Sequence, residues 1–408
     1  MPRVSWKVNL AALWFSQLVI LAGFQALIPF IPLFIKNEFG VTDPGQLALA
    51  VSSFNFFGTM AYAIFNPIWG VLADRFGVKP MLLRGTFLTA VLFPLMAYTP
   101  NVFWLVVVRF LSAGCAGTTA ASQTMIARNT PDEYQGFAQG VLSTAIWGGA
   151  MLGYVVGGLM IHYFNYKVAF WFCGILYILG GIAVLFTRDN PIRNIPVKHH
   201  RISNGFWEKL LPRFTQAVWV MLWLFLLMGL VRGFEVGYIA LRVEELTDPK
   251  TAALWTGVVS AVVCGAAIAS GVCSGYLADR CTPVKMLIPV MLISAFSLLL
   301  QGWADNLWVF AAGRVLLYIA AGGLQPLLQK ILSSVTPARK RGAVFGFASS
   351  SSCLGSMAAA VFSGIAMTAF GVSGVFYIGG ILFIIGLPLL IHGIMLATRP
   401  FVFHRAHH

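Results

Sequence analysis

The feature that most constrains this chain is a succession of long apolar runs with little between them. They lie near 9–35, 47–73, 80–99, 102–127, 137–161, 166–187, 216–243, 253–279, 284–303, 307–330, 342–370 and 374–397. A helix that crosses a bilayer needs about 20 predominantly apolar residues, and tilt absorbs any surplus. Only helices or closed barrels satisfy their backbone groups in lipid, and these runs are too continuous for barrel strands. The expected fold class is therefore all-α and integral to a membrane, with twelve spanning helices. Composition excludes the competing classes. Charged residues make up 10% of the 408 positions, where a soluble domain carries about a quarter. Mean hydropathy is +0.82. So few charges would not cover a water-exposed surface, and the wealth of Phe, Leu, Ile and Trp rules out disorder.

The net charge of +14 suggests nucleic acid only until the charges are located. Lys and Arg collect at the ends of the apolar runs, and they do so unequally. With the first residues placed inside, 20 fall at cytoplasmic ends and 4 (Lys36, Lys167, Arg242 and Lys250) at outer ends. Cytoplasmic loops carry the excess of positive charge in membrane proteins, so both termini are expected in the cytoplasm. The absence of any Asn-x-Ser/Thr acceptor suits a bacterial inner membrane. The six cysteines lie in or beside apolar runs without a Cys-x-x-Cys pair, as small buried hydrophobes do.

Most connections are short. The exception is 188–215, which carries three prolines and six basic residues and reads as a cytoplasmic linker between the halves 1–187 and 216–408. Within it Phe206, Trp207, Leu210, Leu211 and Phe214 fall at helical spacing among Glu208, Lys209 and Arg213. An amphipathic helix lying on the inner leaflet is expected there. The halves repeat one another. Gly70-Val-Leu-Ala-Asp74-Arg75 returns as Gly275-Tyr-Leu-Ala-Asp279-Arg280, and Asn101 and Arg109 return as Asn306 and Arg314. Two parallel halves of six helices are one way to build a binding site at their interface, near the bilayer midplane.

These residues carry a resemblance. The chain resembles the major facilitator superfamily over essentially its whole length. The loop Gly70-Val71-Leu72-Ala73-Asp74-Arg75-Phe76-Gly77-Val78-Lys79 is similar to the family's G-x-L-A-D-R-x-G-R-K, with Val78 in place of the second Arg. Arg109, followed by Gly114 and Gly117, stands where the family has its fourth-helix arginine. Gly140, Gly149, Gly153, Gly157 and Gly158 follow the fifth-helix pattern of its proton-driven drug exporters, with Tyr154 at the pattern's Pro. The resemblance is closest to twelve-helix bacterial drug:proton antiporters. It implies two six-helix bundles related by a pseudo-twofold axis. It also implies a latch at Gly70, Asp74, Arg75, Asp279 and Arg280 on the inner side.

Read physically, Gly149, Gly153 and Gly157 line one helix face and let another backbone approach, which is expected to form a tight seam between the halves. Charge inside the spans is scarce, expensive and therefore informative. Arg232 and Glu235, three apart in the seventh run, are expected to face one way and pair. Glu235 is the carboxylate expected deep in the membrane and hence the candidate for proton coupling, alongside Arg232, with a permanent structural ion pair as the alternative. Arg109 and Arg314 are expected at similar depth, either lining a cavity or holding the bundle together. Gln25, Asn55, Tyr62, Gln123, Tyr238 and Gln325 are expected to supply polar anchors in an otherwise apolar cavity.

The function expected is secondary active transport, as proton-coupled efflux of drug-like or amphiphilic compounds. The alternative is movement, inward included, of an anionic metabolite, a siderophore-like carboxylate or a lysolipid, since three arginines face one glutamate. An intramembrane enzyme finds no support in a His-Glu-x-x-His or Gly-x-Ser-x-Gly motif. No cofactor or metal is expected. The partners are a small-molecule cargo, protons and the lipid bilayer, without nucleic acid, and the chain is expected to act as a monomer.

Overall fold

The computed structural model describes residues 6–131, 134–188, 216–280, 283–321 and 341–405, with 324, 328–329, 331–332 and 336. The expected linker 188–215, with its amphipathic helix, lies outside the described residues from 189 on. Among the described residues all regular structure is helical, and each of the twelve apolar runs is occupied in whole or part by helix.

The first half comprises α1 (Trp6–Gln25), a 3-10 turn (Ile28–Phe30), α2 (Ile31–Glu38), α3 (Pro44–Phe76), α4 (Val78–Met96), α5 (Val102–Cys115), α6 (Thr118–Asn129), α7 (Gln135–Tyr163) and α8 (Tyr166–Leu185). The second half repeats the plan. It comprises α9 (Gln216–Gly233), a 3-10 turn (Val236–Tyr238), α10 (Ile239–Leu246), α11 (Ala252–Arg280), α12 (Pro283–Trp303), α13 (Leu307–Ala321) and α14 (Arg341–Arg405). The last of these holds two spans, because Gly371, at φ +71°, breaks it once. A side chain is disfavoured at that angle, so glycine is the residue that lets the chain turn there.

The repeat is structural as well as sequential. In both halves the first span gives way to a single 3-10 turn and then an eight-residue helix. Pro29 and Pro32 explain the break in the first half, since each removes a backbone donor. Asn101 and Asn306 are equivalent N-caps, their side chains accepting from Trp104 N at 3.2 Å and Val309 N at 3.0 Å. Asn165 caps α8 in the same way, at 2.9 Å from Val168 N.

Large apolar side chains cover the outside, among them Val91, Phe103 and Phe186. In water this would be an aggregation surface, and in a bilayer it is the lipid-facing one. Exposed Tyr98, Trp104, Tyr163, Trp171, Trp303 and Trp308 cluster at helix ends, as interfacial anchors do.

The glycine stripe packs differently from the expectation. A Cβ on Gly149, Gly153 or Gly157 would collide with the carbonyls of Leu18, Ala22 and Ala26. The stripe therefore seats α7 against α1 inside the first half, not against the second half. Equivalent contacts recur in the second half, where Gly355 of α14 lies against the Leu226 carbonyl of α9. The seam between halves is made one residue further round. Gly158 meets Ala253 and Gly257, and Gly257 meets the Tyr154 carbonyl. Periodicity identifies a face for close approach but not the helix that approaches it. Gly153→Ala should destabilise the protein by about 1–3 kcal/mol through overpacking. Thermal unfolding in detergent checks this, and an unchanged midpoint would contradict the packing.

Candidate functional site

Between the halves lies a cavity of about 400 Å³, lined by Ser52, Asn55 and Thr59 of α3, by Arg232, Gly237 and Tyr238, by Tyr318, and by Ser352, Ser356 and Ser363 of α14. Among the described residues Arg232 is its one charged lining residue. Ser352, Ser356 and Ser363 follow one another at helical spacing, so one polar face of α14 looks inward. At one end the halves are tied together. Lys36 Nζ donates to Glu244 Oε2 at 2.6 Å, Ser52 and Tyr238 share a hydrogen bond of 3.1 Å, and His162 Nδ1 donates to the Lys250 carbonyl at 2.8 Å. This is the end that the charge asymmetry assigns to the outside.

Behind the cavity wall sits a buried ion pair. Arg314 of α13 donates to Glu235, and both residues are only 3% exposed. Gln301 Oε1 lies 3.5 Å from the same guanidinium nitrogen, and Gln301 Nε2 in turn donates to the Ser297 carbonyl. A void of about 20 Å³ adjoins the pair, lined by Arg232, Glu235, Leu298 and Tyr318 among others. That is about enough for one water molecule. Arg232 and Tyr318 line both this void and the large cavity, so they stand between the carboxylate and the cargo space.

Glu235 is held by Arg314, and Arg232 lines the void beside the same carboxylate. The i, i+3 argument needs an unbroken helix. Here α9 ends at Gly233, and Glu235 precedes the 3-10 turn at Val236–Tyr238. With the α-helical register lost, the i, i+3 spacing by itself does not fix a pairing.

A second cavity, of about 250 Å³, lies within the first half. Arg109 and Tyr62 line it with Phe24, Thr59, Phe93 and Thr118. Gly58 makes room for the arginine, since a Cβ there would stand 2.6 Å from Arg109 Nε. The cavity's floor is a break in the fourth span. Gly117, at φ +108°, separates α5 from α6 and serves as the N-cap of α6.

The structure thus gathers Asn55, Arg232 and Tyr238 at one cavity and Arg109 and Tyr62 at another, with Glu235 and Arg314 behind. Gln25 and Gln123 line neither cavity. Gln25 ends α1, and exposed Gln123 only offers its backbone carbonyl to Gln139. Gln325 lies outside the described residues. Gly70 and the side chains of Asp74, Arg75, Asp279 and Arg280 are likewise outside what is described, although all five positions are helical. Sequence reasoning missed Gln301, whose only signal was an amide in an apolar run. It also passed over Ser356 and Ser363, which their spacing from Ser352 could have revealed. Among the described residues no group of His, Cys, Asp and Glu side chains has the makings of a metal centre.

Known proteins place this architecture. The family model of the Major Facilitator Superfamily matches residues 13–274 and 239–401. The chain is 27% identical over 390 residues to the multi-drug resistance efflux pump PmrA of Streptococcus pneumoniae, covering 92% of this chain and 94% of that one. It is 30% identical over 380 residues to the multidrug resistance protein MdtG of Salmonella typhimurium, covering 91% and 92%. Among solved structures, it is similar to an inward-facing, unoccupied bacterial homologue of the human lysosomal transporter Spinster. The TM-score is 0.75 at 15% identity, with 98% of both chains covered, a likeness of fold.

Proposed function

Since the chain belongs to the major facilitator superfamily, we propose that it is a proton-coupled secondary transporter that exports drug-like or amphiphilic small molecules by alternating access. The observation that carries the coupling is the Glu235–Arg314 pair, a buried carboxylate one residue layer behind the central cavity. A carboxylate has two charge states. When it gains a proton the pair is neutralised on one side, and Arg314 must find other partners, so occupancy by a proton and the packing of the second half are coupled. Arg232, facing both voids, links that event to the cargo space.

The ties between Lys36 and Glu244, Ser52 and Tyr238, and His162 and the Lys250 carbonyl support an outer gate that is closed here. Cargo then enters from the cytoplasm, and opening requires these contacts to break. In this reading 1–187 and 216–408 are the rocking bundles, 188–215 is a cytoplasmic linker, and both termini face the cytoplasm. Gly70, Asp74, Arg75, Asp279 and Arg280 form the matching inner gate, and a single chain suffices. The efflux relatives support the direction and the cargo class.

The test is uptake of a fluorescent amphiphile, added outside, into inverted membrane vesicles. An imposed acid-inside pH gradient should drive dye accumulation, and an ionophore that collapses the gradient should abolish it. Dye movement that ignores the gradient would overturn the coupling.

A further inference from the structure

The internal repeat makes Arg109 and Arg314 equivalent, and the fold treats them unequally. Arg314 is covered by Glu235 and Gln301. Arg109 has no such cover. Among the described residues its guanidinium makes no ion pair or hydrogen bond, and its buried Nε is without a partner. Its neighbours are the rings of Phe24 and Phe54, with centroids 5.5 and 5.1 Å away. The cause lies in the repeat. The residue that leads into the 3-10 turn is Glu235 in the second half and Leu27 in the first. The first half holds the arginine without the carboxylate. A charge left unpaired inside a spanning bundle is expensive, so an unpaired one calls for a counter-ion from outside the protein.

A second observation points to the same ligand. Gly117 splits the fourth span, and α6 begins at Thr118 with no side chain capping it. The first turn of a helix presents unpaired N–H groups and a partial positive charge. Gly117, Thr118 and Thr119 line the same 250 Å³ cavity as Arg109. Among the described residues no acidic side chain lines it, whereas Thr59, Tyr62 and Ser112 contribute hydroxyls. Broken helices in membranes aim such half-helix N-termini at anionic groups, and a fixed guanidinium beside one adds a charge-assisted, bidentate donor. The rings of Phe24 and Phe93 stand ready for an apolar body.

We propose that this cavity is an anion subsite, and that the cargo class includes amphiphiles bearing a carboxylate or a similar oxyanion, held between Arg109 and the N-terminus of α6. Calling the anion cargo rests on the transport reading above; the subsite itself does not.

The purified full chain, titrated calorimetrically in lipid nanodiscs, tests it with naphthaleneacetate and with the neutral naphthaleneacetamide. Wild type should bind the acid at least about tenfold more tightly than the amide, as expected for a charge-assisted pair. Arg109→Gln should erase that preference, and Arg109→Lys should keep part of it. Leu27→Glu, which restores the carboxylate of the other half, should also erase it by supplying an internal counter-ion. Two variants of opposite chemistry guard against a mere folding defect. A wild type without preference for the acid overturns the subsite, as does a preference that survives in both Arg109→Gln and Leu27→Glu. Displacement of the acid by equimolar chloride would assign the cavity to inorganic ions and overturn the cargo class. If the acid binds as expected but does not cross reconstituted vesicles, the subsite stands and the transport reading fails.

Discussion

Replacing Glu235 by glutamine is expected to abolish pH-gradient-driven transport while leaving cargo binding within about threefold of wild type, since an isosteric amide changes little packing. The shape and one acceptor oxygen survive the change, so Arg314 retains a hydrogen-bond partner. What disappears is the capacity to alternate between charged and neutral forms. Glu235 is 3% exposed and adjoins a void of about 20 Å³, so no neighbouring water pool takes over that role. Among the described acidic residues the other buried one, Glu244, is committed to Lys36. Inverted vesicles report the coupled rate, and equilibrium binding of the same dye reports the cargo site. Full coupled activity in the variant would remove Glu235 from the mechanism, whereas loss of both readouts would mark it as structural.

The second large effect is on stability. Arg314→Gln removes the cation that donates to a buried carboxylate, leaving Arg232 beside a void of about one water's size. Breaking a buried pair from one side costs about 3–5 kcal/mol, because the remaining charge is uncompensated. Gln301, at 3.5 Å from the lost guanidinium nitrogen and held by the Ser297 carbonyl, is poorly placed to compensate. The double variant Glu235→Gln/Arg314→Gln should recover most of the loss, since two neutral amides can hydrogen-bond to one another. Thermal unfolding of the purified protein and its variants measures this cycle. A single variant as stable as wild type, or a double variant no better than the single, would deny the pair its structural weight. Coupled transport should be absent in both.

Particular residues show how far sequence reasoning reached. The equivalence of Asn101 and Asn306 was legible as a repeat, and both turn out to cap the helix that carries the repeated arginine. Glu235 was legible because a charge inside an apolar run is rare. Its partner was not. Arg232 is three residues away, whereas Arg314 is 79 residues away and arrives only because α13 packs against α12 and brings Gln301 with it. The amides divided: Asn55 reached the central cavity, while Gln25 and Gln123 did not. A polar side chain in a span signals that lipid is avoided, without saying whether a cavity, a backbone carbonyl or another side chain receives it.

By itself the sequence determined the membrane environment, the all-helical class and the twofold plan. Those follow from local quantities: the length of an apolar run against the thickness of a bilayer, the position of Lys and Arg, and the recurrence of short motifs. Tertiary structure decided which charges meet. Glu235 took its hydrogen-bond partner from a distant helix at Arg314, Arg109 has no such carboxylate among the described residues, and the glycine stripe met α1 rather than the opposite bundle. Each depends on which helices become neighbours, and periodicity along one helix carries no information about its neighbour.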